Sequence, residues 1–170
     1  MTLRKKNIGF IAVFILFLQL VIGCYSFKGI SIPPNLNTFY IEDFINRAPN
    51  APGAIDQTFS EALRTKIRNE SRLRLVDIDP DIVFKGAVSR FQITSEAPQA
   101  GNTISFNKLT IGVDVEYVNS RNEDDNWKQS FSFFRDFESN ADFQSLQDGF
   151  IAEIFRQITE DVFNRAFTNW

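Results

Sequence analysis

Histidine is absent from this sequence, and cysteine occurs once. Without imidazole there is no Ser-His-Asp triad, no Cys-His pair and no imidazole metal site. A lone cysteine excludes an internal disulfide and a cysteine zinc cage. Glycine is sparse, 8 in 170 residues, and none of it forms a phosphate-cradling loop. Carboxylates pair in sequence at Glu42-Asp43 and Glu160-Asp161, but nothing around them implies a cleft or raised pKa values for acid–base work. These absences argue against an enzyme and against a bound cofactor or metal. What the chain has in excess is phenylalanine, 19 residues, with 44% of all residues hydrophobic. That suffices for the core of one domain.

The first residues read as an address. Arg4, Lys5 and Lys6 precede an apolar run from Ile8 to Leu18. Gln19 and Gly23 interrupt its far end, leaving it shorter than the ~20 apolar residues a spanning helix wants. A basic start, a short apolar stretch and a small residue before a cleavage point make residues 1–23 a secretory signal peptide. The segment Leu20-Val21-Ile22-Gly23-Cys24 resembles a bacterial lipobox. In such precursors cleavage falls between the residues matching Gly23 and Cys24, and the cysteine thiol takes a diacylglycerol. The only thiol would then be a lipid attachment point, each buried methylene adding about 0.8 kcal/mol of anchoring. Removing residues 1–23 takes away three cations and no acid, moving the net charge from −3 to −6 and disfavouring nucleic acid as a partner. No Asp follows Cys24 and no acidic run follows Tyr25-Ser26-Phe27-Lys28, so the default address is the outer membrane, lipid-anchored and facing the periplasm.

Residues 24–37, with Pro33-Pro34, read as an extended lipidated tether, and 38–170 as a single domain. Thr38–Phe44 is β-branched and aromatic, a first strand, and Asn46–Asp56 a loop rich in proline and glycine. Thr58 and Glu61 have capping-box spacing, and Phe59, Ala62, Leu63 and Ile67 form an apolar helical stripe fading near Ser71. Leu73–Ile78 is a short strand, and Ile82–Thr94 a longer one with weaker alternation. After a loop at Ser95–Thr103, Leu109, Ile111, Val113, Val115 and Tyr117 alternate with polar residues, so the sheet is covered on one face only. A polar turn at Asn119–Asn126 leads to a strand over Trp127–Glu138. The final helix, Ser145–Phe167, carries a stripe of Ile151, Ile154, Phe155, Ile158, Val162 and Ala166. The expected fold is α+β: one mostly antiparallel sheet of four to five strands with two helices on one face, in the order β-α-β-β-β-β-α.

Several clusters invite a functional and a plain structural reading. Asp77, Asp79 and Asp81 alternate like the start of a calcium loop, but Ile82 stands where that loop needs glycine, and a turn is expected instead. Arg64, Arg68, Arg72 and Arg74, with Lys66 among them, are candidate contacts for anionic lipid; alternatively they complement a helix C-terminus. Phe163, Phe167 and Trp170 fall beside the final helix's core stripe and are candidate partner contacts; alternatively they broaden the core face, or the tail folds back over the sheet. Phe134 points opposite to Phe131 and Phe133, and needs a reason if the outer sheet face is wet.

Taken together, Cys24 with its lipobox, Ser26-Phe27-Lys28-Gly29, Ile32-Pro33-Pro34, Phe39-Tyr40-Ile41-Glu42-Asp43-Phe44, the helix beginning near Phe59 and Asp81-Ile82-Val83-Phe84-Lys85-Gly86 resemble the LptE family of lipopolysaccharide-assembly lipoproteins, in its Bacteroidetes-type form. The resemblance implies a non-enzymatic component of lipopolysaccharide transport that plugs an LptD-like β-barrel translocon, helps it assemble, and contacts lipopolysaccharide in passage. It carries over no lipid-contacting residue. An alternative of another class is a periplasm-facing lipoprotein that pilots a secretin or activates a cell-wall synthase, because fold does not fix function.

Overall fold

A computed structural model describes residues 31–96 and 105–168. Six strands and two helices follow in order: β1 (Thr38–Ile41), β2 (Ile45–Asn46), α1 (Ile55–Glu70), β3 (Arg74–Leu75), β4 (Ile82–Glu96), β5 (Phe106–Asn119), β6 (Trp127–Glu138) and α2 (Phe143–Phe167), with a 3₁₀ turn at Glu123–Asp125. The sheet order is β3-β1-β4-β5-β6, with β2 also on β4. The fold is α+β as expected. The sheet is mixed, however: β4-β5-β6 is an antiparallel meander, whereas β1 runs parallel to both β3 and β4, and β2 parallel to β4. The parallel pairs follow from connectivity, since α1 lies in the crossover between β1 and β4.

Periodicity builds the inner layer. Leu109, Ile111, Val113, Val115 and Tyr117 of β5 are buried, as are Ile82, Phe84, Val88 and Phe91 of β4. The weaker alternation of β4 has a cause: a register shift between Val88 and Arg90, after which Phe91 opposes Ile111. One extra residue returns the apolar set to the same face. Phe59, Leu63 and Ile67 of α1 and Ile154, Phe155, Ile158 and Val162 of α2 join them in one core. The rings interlock edge to face, Phe44 on Phe59 at 4.9 Å and Phe59 on Phe155 at 5.1 Å, tying β-layer to helices. Glycine is required at Gly86: a Cβ there would lie 1.9 Å from the Asp114 carbonyl oxygen and 2.8 Å from the Phe44 ring.

The expected Leu73–Ile78 strand shortens to Arg74–Leu75, the last helix starts at Phe143 rather than Ser145, and three larger shifts have a physical reason. The first strand divides into β1 and β2. α1 starts before the Thr58–Glu61 box, with Ala54 as N-cap; the Thr58 hydroxyl donates instead to the Ala54 carbonyl, 2.9 Å. The extra turn buries Ile55, a larger gain than a cap hydrogen bond. At the other end of the chain's body, residues 31–37 join the domain rather than hang from it: Leu36 is buried, the Ser31 N–H donates to the Phe167 carbonyl at 2.8 Å, and Leu36 N–H closes a turn onto Pro33 O at 3.0 Å.

Candidate interaction surface

Both ends of the described chain meet at one pole, and a buried acid organises it. Asp81 is 4% exposed. Its Oδ2 accepts from Asn37 N (2.8 Å), Thr38 N (3.0 Å) and Thr38 Oγ1 (3.0 Å), and its Oδ1 from Arg121 Nε (2.7 Å). Its own N–H donates back to Thr38 Oγ1, 2.9 Å. The Asn37 N–H, followed by Arg121 and Thr38 and opposed by burial, holds this carboxyl down at about 2. Asp77-Asp79-Asp81 is therefore a turn, with Asp79 at φ 49° and Asp81 folded inward; no cluster of metal-ligating side chains occurs among the described residues.

The arginine cluster is largely engaged. Arg72 reaches back to the start of the body, donating to Pro33 O (2.7 Å) and Asn37 Oδ1 (3.1 Å). Arg64 pairs with Glu61 on its own helix. Lys66 sits between Glu70 (2.7 Å) and Glu160 of α2. Burial opposes its charge, but hydrogen bonds to Glu160 and Glu70 outweigh this and raise its pKa, while the same Lys66 bond lowers that of Glu160. Arg68 and Arg74 are exposed. Two of these five cations therefore tie elements together, Lys66 joining α1 to α2 and Arg72 joining the segment after α1 to Pro33 and Asn37, while Arg64 is paired within its own helix.

Phe163 and Phe167 are each 2% exposed, which removes them from any partner surface. Their rings meet at 5.0 Å, and Phe167 reaches Phe84 of β4 at 6.2 Å. The apolar face of α2 is broad because it covers both the sheet and α1. Trp170, Gly23 and Cys24 lie outside the described residues.

The outer face of the sheet carries the polar phase of β4, β5 and β6. Two charge ladders cross it. Near the tether pole, Glu116 of β5 joins Lys128 of β6 (3.0 Å) and Lys85 of β4 (3.6 Å); the Lys128 bond leads in lowering its pKa. At the far end, Lys108 joins Glu96 of β4 and Asp136 of β6 (4.0 Å), and its ammonium lies 4.6 Å from the Phe134 ring centroid. Hydrogen bonding to Glu96 raises the Lys108 pKa. A shallow hollow of about 580 Å³ opens beside the first ladder, bordered by Glu42, Arg47, Asp114 and Ser130. The ladders had a sequence signature, because Lys108, Glu116, Lys128 and Asp136 occupy the polar phase of their strands. The Asp81 clasp had none, since no local pattern ties Asp81 to Asn37.

No helix among the described residues is long and apolar enough to cross a membrane. No curated protein matches this sequence. Solved structures of similar fold include a minor lipoprotein from Acinetobacter baumannii, 6% identical over 76% of this chain and 91% of its own, TM-score 0.50. Another is an uncharacterized lipoprotein B from Nitrosomonas europaea, 10% identical over 75% of this chain and 80% of its own, TM-score 0.50. At these identities the likeness shows a shared fold. The sequence itself matches the LptE model, described as lipopolysaccharide-assembly, over residues 36–166, the whole packed body from Leu36 to the last turn of α2, and the chain belongs to that family.

Proposed function

We propose that this protein is a lipid-anchored, non-enzymatic component of lipopolysaccharide transport at the outer membrane. It faces the periplasm, sits within an LptD-like β-barrel translocon and assists its assembly. The observation that carries the reading is the family match over residues 36–166. The surface supports it: the outer sheet face is polar and its charges are mutually paired, which suits a body packed into a wet lumen through many modest contacts. Anchoring at Cys24 would hold the body at the membrane and raise its effective concentration near a barrel embedded there.

Co-purification of the full-length protein from outer membrane in mild detergent, with mass spectrometry of its companions, tests the reading. A lipopolysaccharide-transport barrel is the expected companion; a secretin or a cell-wall synthase in its place overturns it. Globomycin tests the anchor separately. An uncleaved precursor should accumulate, and its failure to do so removes Cys24 as the attachment site.

A further inference from the structure

The chain enters the described body at Ser31, and its path there leads to a hollow. Traced backwards from Thr38, it crosses the tether pole. The Asn37 N–H binds Asp81 at the start of β4, and the Ser31 N–H binds the Phe167 carbonyl at the end of α2, 2.8 Å. The sheet order runs β1-β4-β5-β6, so this direction continues toward the β5–β6 turn. Beside Ser31 opens a hollow of about 520 Å³, lined by Pro33, Tyr117 and Trp127 and, from that turn, by Asp124 and Asp125. A hollow of that volume is about 10 Å across, which three extended residues span.

Two groups in this hollow lack a counterpart. Tyr117 is 4% exposed, yet among the described residues its hydroxyl has no hydrogen-bond partner. Burial, then the charge of Asp125, push its pKa up to about 12, so the hydroxyl stays a donor. Asp124 has no cation within ion-pair reach among the described residues; Arg165, which shares the lining, is turned onto the Trp127 ring (5.5 Å) and Gln129 Oε1 (3.3 Å). The residues that precede Ser31 are Lys28-Gly29-Ile30. In an extended chain Lys28 and Ile30 share one side, a cation and an apolar group in the spacing this hollow asks for. We propose that residues 28–30 cross the hollow as an extended strap, with Ile30 against Pro33 and Trp127, a strap carbonyl accepting from the Tyr117 hydroxyl, and Lys28 paired with Asp124. Tyr25 and Phe27 then face away from the body. The consequence rests on the Cys24 anchor of the proposed function. Docking shortens the leash between the acylated cysteine and the body from residues 25–30, about 20 Å, to residues 25–27, about 10 Å. The tether pole is thereby held toward the bilayer, with Tyr25 at the interface where such rings settle.

The test uses the full-length protein in mild detergent. With Asp124→Cys in place, Lys28→Cys should form a disulfide on oxidation, and Phe27→Cys, on the other side of the strap, far less. Asp124→Cys alone, with Cys24 present, gives the background. Trypsin should cut slowly after Lys28 in the unmodified chain. Asp124 is an exposed turn residue, so Asp124→Lys leaves the packed body intact; it should speed that cut about fivefold. Ile30→Ser should speed it about tenfold. Equal disulfide yields from Phe27→Cys and Lys28→Cys, or cleavage that neither substitution accelerates, overturns the proposal. So does a disulfide from Trp170→Cys in place of Lys28→Cys, which assigns the hollow to the segment after α2. None of these readouts requires Cys24 to be acylated or depends on the companion recovered by co-purification, so failure here is distinct from failure of the functional reading.

Discussion

The Asp81→Asn substitution isolates the clasp at the tether pole. It keeps the shape of the side chain but removes the charge and turns one acceptor into a donor facing the Asn37 and Thr38 N–H groups. The native carboxyl is held at about 2 against an ordinary 3.8, which corresponds to about 2 kcal/mol favouring the ionised, hydrogen-bonded form. Its ion-pair partner Arg121 is exposed, so solvent screening trims this to about 1–2 kcal/mol. Because the folded value is the lower one, the contribution is complete above pH 4 and is lost as pH falls from about 4 toward 2.

Guanidinium unfolding of the full chain in mild detergent, at pH 7 and again near pH 2, reads this directly. At pH 7 the variant should unfold at a lower midpoint with an unchanged slope. Near pH 2 the gap should shrink to a small fraction, because the native carboxyl is then about half protonated and most of the ionic contribution is gone. Glu116 and Glu160 are held down too and weaken both proteins alike in acid, so the difference between them is the quantity to compare. Amide exchange at Asn37 and Thr38 should rise in the variant at pH 7. A gap that persists unchanged near pH 2, or none at pH 7, refutes the account of Asp81 as an ionised clasp.

Three further perturbations follow from the packing. Gly86→Ala forces a methyl against the Asp114 carbonyl and the Phe44 ring and should cost about 1–3 kcal/mol by thermal or denaturant unfolding. Phe163→Ala should cost about 3–5 kcal/mol in folding, as a core truncation does; a stable variant that only lost a binding partner would contradict its burial. Arg72→Ala should cost about 1 kcal/mol and raise amide exchange over residues 32–37, while flotation with anionic vesicles stays unchanged.

How far the fold was legible follows from which interactions are local. Period-two alternation on β5 and period 3.6 on α2 are properties of neighbouring residues, so both elements and the side they bury could be read directly. The parallel placement of β1 and β2 beside β4 could not, because Phe39 meets Ile82 only after a crossover that leaves no periodic trace. The helix start moved for a similar reason: Thr58 offers a local cap, but burial of Ile55 is a tertiary gain that overrode it. At the candidate sites the residue types were visible and their partners were not. Arg72 looked like one of several surface cations until the fold returned residues 32–37 to it, and Phe163 looked surplus to one sheet because α1 was not yet known to lie against α2.

The outer sheet face bears on how such a body works. Exposed ion pairs contribute little to stability, ~0–1 kcal/mol each, so the two ladders do not hold the fold together; the aromatic core beneath does. Their effect is on specificity. A one-residue slip of β5 against β4 or β6 would turn Lys108 and Glu116 inward and Ile111 and Val113 to solvent, so apolar and charged phases enforce a single register from opposite sides. The same pairing leaves the face polar but nearly neutral locally, each Lys answered by a carboxylate. A surface of that kind resists indiscriminate sticking while presenting hydrogen-bonding groups along the meander. The exception is the β6 edge, where Phe133 and Phe134 are exposed beside a strand edge that pairs with nothing among the described residues.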